Sequence, residues 1–164
     1  MLKGFITNLG KYNEGQLIGE WIEFPISEDE LEEVFERIGI NEEYEEIFFT
    51  DWECDFETGL GEYEDIEAVN DLAEALEAVE RYSEEDKLEA IIKATGDSLQ
   101  EALRYMDDAT FYPGYTLKEV AEEIVSECYD LPEIALRYFD YKAFARDLSF
   151  DGYTETYTGV ICIN

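Results

Sequence analysis

The sequence predicts an α+β fold, laid out as an elongated chain of three small domains. Three observations predict it. Apolar residues make up 46% of the 164 residues and include 2 Trp, 12 Tyr and 10 Phe, enough for real cores despite a formal charge of −32. Apolar residues recur at helical spacing in some short stretches and alternate in others. Turn-forming Gly, Asn and Pro residues separate these stretches.

Residues 1–61 read as a mixed α+β domain. Strands are expected over 2–8 and 16–24, flanking a Gly/Asn-rich loop, Asn8-Leu9-Gly10-Lys11-Tyr12-Asn13-Glu14-Gly15. Ser27-x-x-Glu30 is a capping box that opens a short helix. Leu31, Val34, Phe35 and Ile38 share one face of it, and Gly39 supplies a C-terminal stop. A β-prone stretch runs from Tyr44 to Trp52, and Thr58-Gly59-Leu60-Gly61 closes the domain.

Residues 62–108 read as a helical domain. Ile66, Val69, Leu72, Ala73, Leu76 and Val79 form one stripe. Ser83-x-x-Asp86 and Ser98-x-x-Glu101 are expected to cap two further helices separated by Gly96, giving a small bundle.

Residues 109–164 return to mixed structure. Phe111-Tyr112-Pro113-Gly114 ends an extended segment, and Thr116 caps a helix carrying Val120, Ile124 and Cys128. Leu131-Pro132 breaks that helix and restarts a shorter one, and Thr154 to Ile163 alternates as a final strand.

The charge is spread along the whole chain. Residues 1–61 hold 17 acids and 3 bases (net −14), 62–108 hold 16 and 4 (net −12), and 109–164 hold 10 and 4 (net −6). The acids are also patterned. Glu28, Asp29, Glu32, Glu33 and Glu36 crowd one short helix, and Glu42, Glu43, Glu45 and Glu46 continue the run. Glu64, Glu67, Asp71, Glu74 and Glu77 recur at helical spacing opposite the Ile66–Val79 stripe. Like charges so placed destabilise a helix by about 0.2–0.5 kcal/mol per pair. Any single run reads as a solvated face; all of them together, with few bases between, point to an acidic surface with a role of its own.

These numbers exclude a protein that grips nucleic acid or anionic lipid directly. With no histidine, the commonest general base and most zinc sites are gone, and no nucleophile, phosphate-cradle or calcium-loop pattern is complete. No cofactor or metal is called for, and no catalytic residue stands out. Carboxylate-only enzyme chemistry stays open, since among 43 acids some pair always has a suitable spacing. Cys54, Cys128 and Cys162 lie far apart and read as buried free thiols in a reducing cytoplasm. The N-terminus lacks the apolar stretch of a signal peptide, and no run is long enough to span a membrane.

Duplex DNA carries one charge per about 1.7 Å of axis, so 32 charges match ~54 Å, or roughly 16 base pairs. The natural partner is a protein whose own groove is basic and built for DNA, a nucleoid protein or a transcription factor among the candidates.

One late segment differs from the rest. Leu136, Arg137, Tyr138, Phe139, Asp140, Tyr141, Lys142, Phe144, Arg146, Asp147 and Leu148 cluster three bases with four aromatics. Tyr138-Phe139-Asp140-Tyr141 and Ala145-Arg146-Asp147-Leu148 resemble the antirestriction motif of the ArdA-type antirestriction proteins, with Ala145 where that family usually has glycine. Asn8 to Gly15, followed by Gly19-Glu20-Trp21 and Phe24-Pro25, resembles the same family's N-terminal signature. The resemblance covers essentially the whole chain. It implies a non-enzymatic, curved homodimer that mimics bent DNA. It further implies blockade of the DNA-binding groove of type I restriction–modification enzymes, through their methyltransferase and specificity core, and protection of mobile-element DNA. Residues 109–164, which have the lowest charge density and carry the aromatic motif, are the expected dimer contact, since repulsion between two such chains is least there.

Overall fold

A computed structural model describes residues 1–163. The fold is α+β, with helices and two small antiparallel sheets. The chain divides into two compact units, the first Met1–Tyr82 and the second beginning at Ser83.

In the first unit the sheet order is β2 (Gly19–Phe24), β1 (Leu2–Asn8), β3 (Ile47–Glu53), so the N-terminal strand is central. Leu2 pairs with Phe24 and Ile6 with Glu20 on one side, and Ile6 with Phe49 on the other, beyond a register shift at Phe5/Ile6. Strand β2 begins at Gly19, later than residue 16. A Cβ at Gly19 would lie 2.4 Å from the Ile6 carbonyl oxygen, so only glycine lets the strands approach there. The expected loop over 8–15 contains a short helix, α1 (Leu9–Asn13), because the Asn8 side chain accepts from the Lys11 N–H at 2.9 Å and caps it.

Helix α2 (Glu28–Ile38) begins with the expected Ser27/Glu30 capping box and ends at Gly39, which adopts a left-handed φ of 77°. It buries Val34 and Ile38. Helix α3 (Ile66–Tyr82) buries Val69, Leu72, Ala73, Leu76 and Val79, the predicted stripe, with Ile66 half-buried at its start. The Asn70 amide ties α3 to the Ile26 backbone, accepting from N–H at 2.8 Å and donating to C=O at 2.9 Å. Phe24, Phe49 and Trp52 pack together, with 4.3 Å between the Phe49 and Trp52 rings.

The second unit starts with α4 (Glu85–Thr95) and α5 (Leu99–Arg104). Ser98 and Glu101 form the expected capping box, and Gly96 lies between the helices in a left-handed conformation. Ser83 does not cap α4. Its φ of 55° is left-handed, whereas a capping serine needs extended backbone, so Glu84 takes the cap position without a side-chain bond. The helical stretch 62–108 is thus present, with α3 in the first unit and α4 and α5 in the second.

The second sheet has the order β4 (Thr110–Pro113), β6 (Gly159–Cys162), β5 (Tyr153–Glu155). The tail is therefore two short paired strands, not one, with Thr156 folding back onto the Gly159 carbonyl through N–H and Oγ1. Helices α6 (Leu117–Cys128), α7 (Glu133–Arg137) and α8 (Tyr141–Leu148) complete the unit, α6 opening on the Thr116/Glu119 capping box. Val120, Ala121, Ala145, Leu148 and Val160 form one buried cluster. Of the three thiols expected to be buried, only Cys162 is; Cys54 is half-buried and Cys128 exposed, because Cys128 ends α6 beyond its packed face. Among the described residues the cysteines form no disulfide, and no helix is long and apolar enough to cross a membrane.

Candidate functional site

Two constellations remain once the cores are accounted for. The first is the acidic surface. Glu28, Asp29, Glu32, Glu33 and Glu36 on α2, Glu42, Glu43, Glu45 and Glu46 before β3, and Glu67, Asp71, Glu74 and Glu77 on α3 are all exposed. Glu64 is half-buried and accepts from the Gly61 N–H at 2.6 Å. Of these fourteen residues only Glu33 forms an ion pair among the described residues, a long one at 3.7 Å to Arg37. Glu67, Asp71, Glu74 and Glu77 place four charges along eleven residues of α3, one per about 5 Å at the helical rise of 1.5 Å. One DNA strand carries a charge per about 3.4 Å of axis. The stripe is therefore somewhat sparser than a phosphate backbone and of the same order.

The carboxylates that the structure uses internally are different ones. Glu30, Glu101 and Glu119 are held below the usual carboxylate range by hydrogen bonds from the serine or threonine three residues earlier. Each closes a capping box and serves a helix terminus.

The second constellation is the late motif, and the structure separates it into framework and surface. Asp140 caps α8 by accepting from the Ala143 N–H at 3.0 Å. Leu148 is buried, Leu136 half-buried, and the Ala145 methyl lies inside the same core. Phe139 packs between Tyr141 at 4.9 Å and Phe144 at 5.8 Å. Arg137 pairs with Glu133 at 3.2 Å, and Arg146 with Asp147 at 3.1 Å. Tyr138 projects from the end of α7 and is 80% exposed. Ile134 and Phe150, which the sequence pattern did not single out, are 69% and 80% exposed in the same unit.

The N-terminal signature is also framework. Asn8 is fully buried and its amide donates to the Ile38 and Gly39 carbonyls at 3.1 and 3.2 Å, joining β1 to the end of α2. The Lys11 ammonium sits 3.8 Å from the centre of the Tyr44 ring, whose hydroxyl donates to Glu14 at 2.8 Å. A Cβ on Gly10 would come within 2.3 Å of that ring. The signature thus locks the platform that carries the α2 acids.

Exposed carboxylates, all but Glu33 without an ion pair among the described residues, make this a polyanionic surface. A family model for antirestriction protein (ArdA) matches residues 5–162, and the chain belongs to that family. Comparison with curated proteins gave no match.

Proposed function

We propose that this protein is a DNA mimic that occupies the DNA-binding groove of type I restriction–modification enzymes and so protects incoming mobile-element DNA. The observation that carries the reading is the set of fourteen patterned acids, thirteen of them exposed and only one in an ion pair among the described residues. Carboxylates left free of internal partners are available to basic side chains that otherwise hold phosphates. Membership of the antirestriction family supports the choice of target. Action is stoichiometric and reversible, without turnover, and takes place in the cytoplasm where that enzyme meets DNA.

The inhibitor acts as a homodimer joined through residues 109–164. That segment has the lowest net charge, −6, and carries Ile134, Tyr138 and Phe150 exposed. Sedimentation at micromolar concentration gives a dimer, and Tyr138→Asp, at a position 80% exposed and so free of core cost, gives a monomer. A wild-type monomer, or a Tyr138→Asp dimer, removes this assignment.

The deciding experiment is competition between the protein and a target duplex for a purified type I methyltransferase core. The protein displaces the duplex and loses affinity as salt rises. Simultaneous binding of both ligands, or DNA turnover that tracks one carboxylate, rejects the mechanism.

A further inference from the structure

The register of the first sheet sorts its side chains onto two faces, since directly paired residues point the same way. Leu2, Ile6, Ile22, Phe24 and Phe49 share the inner face and are buried. The groove of about 420 Å³ between β2 and α2 opens on that side, where the chain's own Arg37 takes up the Glu20 carboxylate at 2.6 Å. The outer face carries three cross-strand rows: Gly19–Thr7–Phe48, Trp21–Phe5–Asp51 and Glu23–Lys3–Glu53. Tyr12 and Tyr63 pack on Phe48, at 5.0 and 6.3 Å between ring centres, and keep it buried. In the next row Trp21 stays 46% exposed, with Phe5 against it at 5.5 Å. Gly19 leaves room for the Phe5 ring, which a Cβ there would meet at 2.8 Å.

The charges around this aromatic pair are unbalanced. In the three rows Lys3 is the one base, against Glu23, Asp51 and Glu53. It pairs with Glu23 Oε1 at 3.0 Å, and that hydrogen bond holds the Lys3 ammonium above the ordinary lysine range. Oε2 of Glu23 is left for a second cation. Asp51 and Glu53 are exposed and form no ion pair among the described residues.

That imbalance selects the occupant. A second copy of this chain would bring like charge onto like, and a neutral apolar partner would bury carboxylates without cations. A basic segment meets both demands. Arginine has a stem that covers apolar surface such as Phe5, and a planar, weakly hydrated head that stacks on an indole and pairs with a carboxylate. Glu23 lies two residues along β2 from Trp21 on the same face, about 7 Å away at about 3.4 Å per residue.

We propose that the outer face of the first sheet is a docking surface for a basic segment of the target protein, with one arginine stacked on Trp21 and paired with Glu23. It rests on the reading that the partner is a basic, DNA-binding protein. It adds an aromatic anchor on a sheet to the diffuse acids of the helices.

The test has two arms. In the first, the ¹⁵N-labelled protein is titrated with acetyl-Gly-Arg-Gly-Arg-Gly-amide, with the citrulline and lysine analogues as controls. The Trp21 indole N–H resonance shifts saturably with the arginine peptide, more weakly with lysine and not with citrulline. The Trp52 indole, on the inner face and bonded to the Gly61 carbonyl at 2.9 Å, stays in place and reports the fold of each variant. Glu23→Gln weakens the arginine peptide about threefold, whereas Glu67→Gln, with the same charge change on α3, does not. No saturable Trp21 shift, an equal response to citrulline, or equal effects of Glu23→Gln and Glu67→Gln overturns the proposal.

The second arm uses the methyltransferase core. Trp21→Thr, which keeps a strand-forming residue, weakens binding about tenfold, and Glu23→Gln weakens it about threefold. If wild type does not bind the core, the DNA-mimic reading fails while the peptide arm still decides the face. If wild type binds and both variants match it, the face is not used by that target and the proposal falls. Self-association that Trp21→Thr abolishes and Tyr138→Asp leaves intact would make a second copy the occupant, and also overturns it.

Discussion

The two units are equal in length and unequal in charge. Residues 1–82 carry 25 acids and 4 bases, net −21, and residues 83–164 carry 18 and 7, net −11. The boundary at Tyr82 places α3, with its stripe of four acids, in the first unit. The first unit also spends its family signature on rigidity. Asn8 joins β1 to the end of α2, and capping motifs fix both ends of that helix. In the second unit the family motif is divided, with Asp140, Leu148 and Ala145 holding α8 in place and Tyr138 left exposed. The difference teaches that the first unit concentrates charge on a stiff platform, whereas the second carries about half that net charge and leaves part of its family motif exposed.

The largest expected effect comes from removing that charge asymmetry. Converting Glu28, Asp29, Glu32, Glu33 and Glu36 together to amides should cost ~2–3 kcal/mol of binding to the methyltransferase core, since each exposed ionic contact is worth about 0.2–1 kcal/mol. Five amides in the second unit, at Asp107, Glu123, Glu127, Asp130 and Asp151, should cost clearly less. Affinities measured at one salt concentration, with helix content checked by circular dichroism, decide it. Equal losses would break the comparison and spread the mimic evenly over both units.

Rigidity and charge can be separated at Asn8. Asn8→Ala leaves the net charge alone but strips a cap and orphans two carbonyls, at a cost of about 1–3 kcal/mol of stability. Urea unfolding should show that loss, while affinity for the core at low temperature, where the protein stays folded, should change little. A large affinity loss in folded protein would mean that the platform's shape, not only its charge, is read by the partner.

The second unit should have its own alkaline limit. Burial and its neighbours Cys162 and Tyr112 push the Tyr153 hydroxyl up to about 12. An acid whose folded value is raised binds its proton more tightly in the native state. Its contribution is therefore complete below about pH 10, the ordinary tyrosine value, and is lost as pH rises toward 12. Hydrogen exchange at the β5 and β6 amides should accelerate over that interval, and Tyr153→Phe should flatten the dependence. Unchanged pH dependence in that variant would assign the alkaline limit elsewhere.

Local signals in the sequence were faithful where a short-range bond enforces them. The Ser27, Ser98 and Thr116 boxes each need only four consecutive residues, and all three form. The α3 stripe was legible for the same reason, since its period is set within the helix. Ser83 shows where such reading fails. Ser83-x-x-Asp86 has the spacing of a cap, but the end of α3 forces Ser83 into left-handed backbone and the motif cannot close. The tail failed similarly, because pairing with β4 and a turn at Thr156 split one alternating run into two strands. For the site, the acids were countable and their exposure followed from the opposite apolar face. The groove between β2 and α2 was not legible, because it joins residues distant in sequence through tertiary packing.

The smallest expected effect is also the most diagnostic of how the acidic face works. Glu67 and Asp71 are exposed on α3, and neither forms an ion pair among the described residues. If each stands in for one phosphate among many, it contributes one screened contact, and Glu67→Gln or Asp71→Asn should each cost about 0–1 kcal/mol of binding. The losses should be nearly equal and shrink together as salt rises. Their salt slope need not match that of DNA, because a folded protein has no comparable condensed counterion sheath to release. The measurement is affinity for the purified core across a salt series for wild type and both variants. Should either acid alone abolish binding while its neighbour one turn away is silent, the face would be a discrete hot spot and the distributed account of the acidic surface would have to be given up.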